Sequence, residues 1–114
     1  MSKPGKASIE VPPERVPTQV PDPLRDAVKE TERRSVAVAE CDTDGPERVA
    51  LADAVVCAAA KAVCEANKWV KGVNHVTKPA AEEILTACVA TYTVALRNQK
   101  IATNIAKLLD SIAY

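Results

Sequence analysis

The chain has 114 residues and zero formal net charge, 15 basic against 15 acidic, and 47% of it is hydrophobic although it holds no Phe, one Trp and two Tyr. That length leaves room for one domain. An apolar mass of Ala and Val buries little area per side chain at about 25 cal/mol per Å², so part of the stability is expected from other copies of the chain or from a partner.

Balanced charge, with no basic stripe interleaved with aromatics, argues against a nucleic-acid binder. The start, MSKPGKASIEVPPER, lacks the apolar core of a signal peptide. The longest uncharged apolar run, Ala54 to Ala60, is far below the ~20 residues that span a bilayer. A soluble, cytoplasmic chain is the expectation.

Residues 1–21 hold five of the eight prolines, at positions 4, 12, 13, 17 and 21, with isolated valines at 11, 16 and 20. Such a stretch is expected to be an extended, partly polyproline II arm that lies across a neighbouring subunit or a partner. Residues 22–114 are expected to form a helical assembly domain. Its first helix, about 22–41, starts with Asp22 as N-cap and Pro23 just inside. Leu24, Ala27, Val28, Thr31, Ser35 and Val38 keep the 3.6-residue rhythm among mixed charges. The run Asp42-Thr43-Asp44-Gly45-Pro46 is dense in turn residues and ends it.

The second helix, about 46–71, is capped by Asp44 or Gly45 and stops at Gly72. It is the stretch on which the rest depends. Val49, Ala52, Val56, Ala59 and Val63 form one apolar face, and Leu51, Val55, Ala58 and Ala62 widen it well past the roughly 100° stripe of a surface helix. Trp69, the only large aromatic, is placed to plug the end of an interhelical layer. A helix apolar on so many sides needs more than one neighbour, and this face is the expected assembly face. The connection 72–79 has the length of an antiparallel helical hairpin.

The last helix, about 79–112, carries one apolar stripe through Ile84, Leu85, Cys88, Tyr92, Ala95 and Leu96. A second runs through Ile101, Ile105, Leu108, Leu109 and Ile112. Arg97-Asn98-Gln99-Lys100 is a polar belt between them. Either the helix is one rod of about 50 Å or it bends at this belt. The expected fold is therefore all-α: an arm, a short helix and a long antiparallel hairpin, assembling into an oligomer or polymer.

Catalytic and metal chemistry find no support in the spacing. Cys41, Cys57, Cys64 and Cys88 show no metal-ligand pattern and His75 is the only histidine, so no metal or cofactor is expected. The cysteines read first as small hydrophobes. Cys57 and Cys64, seven apart on one helix face, are with Cys88 the candidates for crosslinks between subunits. No base is placed for a Cys57 or Cys64 nucleophile. Glu82 and Glu83 are adjacent and point about 100° apart, so they do not converge as a carboxylate pair. A non-enzyme is expected.

Asp26-Ala27-Val28 on the first helix, followed by Ala50-Leu51-Ala52-Asp53-Ala54-Val55 through Ala62-Val63 on the second, resembles the Reb-type family of R-body (refractile body) structural proteins. The resemblance covers about residues 24–70. Lys29-Glu30-Thr31 stands where that family usually has T-Q-T, and Glu65-Ala66-Asn67-Lys68-Trp69 replaces its Gln-rich run. The resemblance implies a polymer subunit of a bacterial protein ribbon that extends on acidification and ruptures membranes, so that membranes are met only through the assembled polymer. Its partners would be copies of itself and a homologous co-assembling subunit. An acid response requires groups whose charge changes between about pH 7 and 5; His75, Glu82 and Glu83 are the candidate switch residues, with Asp53 and Glu65 as further carboxylates. The competing reading is a small helical adaptor or chaperone-like module that binds one partner helix on the Ala-Val face.

Overall fold

A computed structural model describes residues 20–112, and all the regular structure in them is helical: α1 (Asp22–Glu40), α2 (Pro46–Gly72) and α3 (Lys78–Ile112). The proposed arm over 1–21 lies outside the described residues except for Val20, which packs against the core, and Pro21. Tyr114 also lies outside them.

At the helix ends the structure moves two boundaries by one residue and, for the start of α2, selects Gly45 from the two expected caps. The N-cap of α1 is Pro21, in an extended conformation, and Asp22 is the first helical residue. Pro23 therefore sits one position further in, still where no intrahelical N–H is needed. Gly45 caps α2 with φ 116° and ψ −156°, a region open in practice to glycine alone, and Asp44 instead holds Arg48 at 3.1 Å. Gly72 does not stop α2 but is its last residue; the C-cap is Val73, whose N–H returns to the Trp69 carbonyl.

The chain runs up, down and up. Arg34 of α1 meets Ala54 of α2, and Arg48 near the start of α2 meets Val38 and Cys41 at the end of α1. Asp53 of α2 meets Gln99 of α3. Each helix is thus antiparallel to the next. α2 is the middle one: α1 and α3 both pack along it and make little direct contact with each other.

Spacing explains the packing. On α2 six of the seven buried residues, Ala52, Val55, Ala59, Ala62, Ala66 and Trp69, alternate steps of three and four, and the seventh, Ala58, lies beside Ala27 and Glu30 of α1. On α3, Ala81, Cys88, Ala95 and Ala102 recur every seven residues. A seven-residue repeat keeps one seam facing its partner between helices that cross gently. One core cluster joins Leu24 and Ala27 of α1, Ala62, Ala66 and Trp69 of α2, and Ala81 and Cys88 of α3; a smaller one holds Val55, Ala59 and Ala95.

α3 runs unbroken through 97–100, and its 35 residues span about 52 Å along the helix at 1.5 Å per residue. With Gln99 opposite Asp53, the start of α2 at Pro46 falls level with about Ala106. Beyond Ala106, α3 passes the start of α2, and Lys107, Leu109 and Asp110 line an open hollow with Asp44, Pro46 and Val49.

Candidate assembly surface

The expected assembly face of α2 is largely used inside the chain. Ala52, Ala59 and Trp69 are buried, and Val49, Val56 and Val63 are half-buried. The chain's own α1 and α3 supply this cover, one on each side, so the apolar girth of α2 is met in large part by two intramolecular partners.

Most of the exposed apolar surface lies on α3, with Val36 on α1 and Val76 in the hairpin turn exposed as well. Val94, Ile101, Leu108 and Ile112 are 47%, 48%, 62% and 76% exposed. Val89, Leu96 and Leu109 add to the exposed apolar area of the helix, so Leu96 does not belong to the buried part of its stripe. Beside this surface α1 and α3 diverge over the floor of α2 and leave an open groove of about 230 Å³, lined chiefly by apolar atoms of Val28, Ala59, Ala62, Ile84 and Ala87. The groove continues along Ser35, Val55, Val94 and Asn98. A sequence wheel for any one helix cannot show it, because it exists only where three helices meet.

The polar side chains of the site are structural. Gln99 donates from Nε2 to the Asp53 carboxylate, which makes part of the polar belt a link between α2 and α3. Glu30 accepts from Arg33 and Arg34, and these two bonds hold its carboxyl below the usual carboxylate range. Arg48 donates to the carbonyls of Val38, Thr43 and Cys41 at 3.3, 3.3 and 2.6 Å, closing the end of α1 from the start of α2. Nothing in the sequence distinguished Arg48 from the surrounding surface charges.

His75, Glu82 and Glu83 are all exposed at or near the hairpin turn. Asn74 shapes that turn: its Oδ1 accepts from the backbone N–H groups of Val76 and Thr77 at 3.1 and 3.0 Å. Of the crosslink candidates, Cys57 and Cys64 are exposed, whereas Cys88 is buried and its thiol is pushed up by that burial. Cys88 is therefore not presented to a neighbouring chain and behaves as a small core hydrophobe. Among the described residues no group of three or more His, Cys, Asp or Glu side chains is placed to hold a metal ion, and no helix is long and apolar enough to cross a membrane.

Comparison with known proteins finds no matching family model, no similar curated protein and no similar solved structure.

Proposed function

We propose that this chain is a non-enzymatic structural subunit that self-assembles through its helices into a large polymer, in the manner of the acid-responsive R-body ribbons that its Ala-rich helices resemble. The observation that carries the reading is the exposed apolar row on α3, from Val94 through Ile101 and Leu108 to Ile112, on a chain whose own core is made mostly of alanine. Side chains of that size left in water favour association with another apolar surface. The assembly's expected place is the bacterial cytoplasm, as an inclusion.

The test is electron microscopy of the purified full chain at neutral pH and near pH 5, with size-exclusion chromatography alongside. Ribbons or tubes that change length with pH are expected. A monomer or dimer of fixed size at both values overturns the polymer reading.

The groove between α1 and α3 favours a second reading, a helical adaptor that receives one partner helix. A discrete complex with a different protein, in place of self-association, is the result that selects it.

A further inference from the structure

Resting on the self-assembly reading, we infer that Cys57 and Cys64 form a twin disulfide site shared by two copies of the chain. Cys57 of each copy bonds to Cys64 of the other across antiparallel α2 helices.

α2 has one side that neither α1 nor α3 covers. Ala50, Asp53, Cys57, Lys61, Cys64 and Lys68 follow one another at steps of three and four, and all six are exposed. At 3.6 residues per turn they fall within a sector of about 80°. The stripe is turned away from Ala59 and Ala62, which floor the groove between α1 and α3. Cys57 and Cys64 are the exposed thiols of the chain, since Cys41 is half-buried and Cys88 buried.

Spacing decides how these thiols can pair. Cys57 and Cys64 are two turns apart, about 10.5 Å at 1.5 Å per residue. A disulfide needs Cα atoms within about 7 Å of each other, so the two cannot bond within one chain. The second sulfur must come from another copy. Helices packed face to face, with axes about 8–10 Å apart, bring facing Cα atoms inside that limit.

Charge decides the direction. Antiparallel pairing about the point between Ala60 and Lys61 sets Cys57 opposite Cys64 twice over. The same register sets Asp53 of each copy opposite Lys68 of the other, so an opposite-charge pair flanks each disulfide. Parallel pairing would set Asp53 against Asp53, Lys61 against Lys61 and Lys68 against Lys68. In the antiparallel pair Lys61 lies nearest the axis, and it shares a hollow with Asp26 and Glu30 of its own α1, which draws it aside from its twin. Asp53 and Lys68 keep Gln99 and Glu65 as partners within the chain.

The contact is sterically open. Ala58, beside α1, and Ala59, packed with Ala95 of α3, lie about 100° one way and about 160° the other way round α2 from Cys57. Both flanking helices therefore stand further from the contact plane than α2 does. The twofold stacks α1 over α1 and α3 over α3 without overlap, in an isologous contact.

Each bond needs an oxidant, and a low-molecular-weight disulfide such as oxidised glutathione supplies it. The Cys57 thiolate attacks one of its sulfurs and releases one glutathione. The Cys64 thiolate of the second copy then attacks the protein sulfur of the mixed disulfide and releases the other. The two protons shed by the cysteines end on the two glutathione thiols. In reducing surroundings both pairs stay as thiols; in oxidising ones the contact becomes covalent.

The test is incubation of the full chain with oxidised glutathione, then tryptic digestion without reduction. Cleavage after Arg48, Lys61 and Lys68 puts the two cysteines on separate peptides. A covalent pair of 12.1 kDa chains is expected, with the Cys57 peptide joined to the Cys64 peptide. Cys57→Ser and Cys64→Ser, both at exposed positions, should each remain single chains, because every remaining thiol then faces a serine. An equimolar mixture of the two variants should regain a covalent pair through one bond. Cys57–Cys57 and Cys64–Cys64 links would show parallel pairing and overturn the inference, as would glutathione adducts alone or a covalent pair of either single variant. Ribbons that form while no Cys57–Cys64 link does overturn it and leave the self-assembly reading standing. The linked pair in a chain that forms no ribbon upholds it and removes the polymer.

Discussion

Arg34 of α1 donates from Nη1 to the carbonyl oxygen of Ala54 in α2 at 2.9 Å, while its Nε holds Glu30 at 2.6 Å. One guanidinium thus ties two helices together and is itself aimed by a carboxylate one turn away. The Ala54 carbonyl lies inside α2, where a side chain from another element is a second donor to an oxygen already used by the helix.

Replacing Arg34 with Ala is expected to destabilise the chain by about 1 kcal/mol, the lower end for a charged hydrogen bond because the side chain is over a third exposed. Arg34→Lys keeps the charge but loses the fork that reaches both partners, so it recovers only part of the loss. Urea unfolding monitored at Trp69 reads both variants. A wild-type midpoint for Arg34→Ala would show that the Ala54 contact adds no stability.

The Glu30 carboxyl is held below its ordinary range, first by the Arg33 bond and then by the Arg34 bond. A depressed carboxylate contributes stability that is complete above its unfolded value and disappears as pH falls through the folded one. The contribution is therefore retained from pH 7 to 5 and lost below about pH 4.5. Glu30→Gln is expected to flatten the acid limb of a thermal-stability profile below that pH. An identical limb in wild type and variant would remove Glu30 from the acid response.

Arg48 completes the end of α1 through three carbonyls. Arg48→Ala is expected to cost about 1 kcal/mol, since the carbonyls of Cys41 and Thr43 lose their guanidinium donor while that of Val38 keeps the Cys41 N–H. Hydrogen exchange is the sharper measurement: the Cys41 N–H, bonded to the Val38 carbonyl at 3.2 Å, should lose protection before amides in the middle of α1. Uniform loss along the helix would indicate general destabilisation and no special role at the turn.

Thr77 is fully buried and its hydroxyl has no hydrogen-bond partner, while its carbonyl still accepts from the Ala81 N–H at 3.0 Å. Thr77→Val keeps the shape, leaves the backbone bond in place and removes the unpaired hydroxyl. An increase of about 1 kcal/mol in unfolding free energy is expected. A lower Tm would show that the hydroxyl is paired in solution.

Alkylation by iodoacetamide at neutral pH, followed by mass spectrometry, should modify the exposed Cys57 and Cys64 well before Cys88, whose thiol is both buried and held protonated. Equal rates would mean that the α2–α3 seam opens readily.

Helix existence was legible because punctuation brackets every element: Pro21-Asp22-Pro23, Asp44-Gly45-Pro46, and the stretch from Gly72 to Pro79. Which faces meet was not. A wheel discriminates poorly when nearly every side of α2 is Ala or Val, so intramolecular contacts were assigned to an assembly. The run 97–100 left open, for a related reason, whether the last helix is one rod or bends: its members face different ways, Gln99 reaching α2 while Arg97, Asn98 and Lys100 are exposed. Arg48 was hidden because its partners are backbone carbonyls, which leave no trace in a side-chain pattern.

The seam between α2 and α3 is made largely of Ala52, Ala59, Ala62 and Ala66 against Ala81, Ala95 and Ala102. Most protein interiors are harmed by truncation, because a cavity remains where a large side chain stood. An alanine has almost nothing to truncate. Harm to this interior comes instead from addition: one extra isopropyl group at Ala59, which is 1% exposed, must wedge the helix axes apart over its whole neighbourhood. Along this seam, gain of volume is thus the greater hazard, while loss of volume weighs most at Leu24 and Trp69.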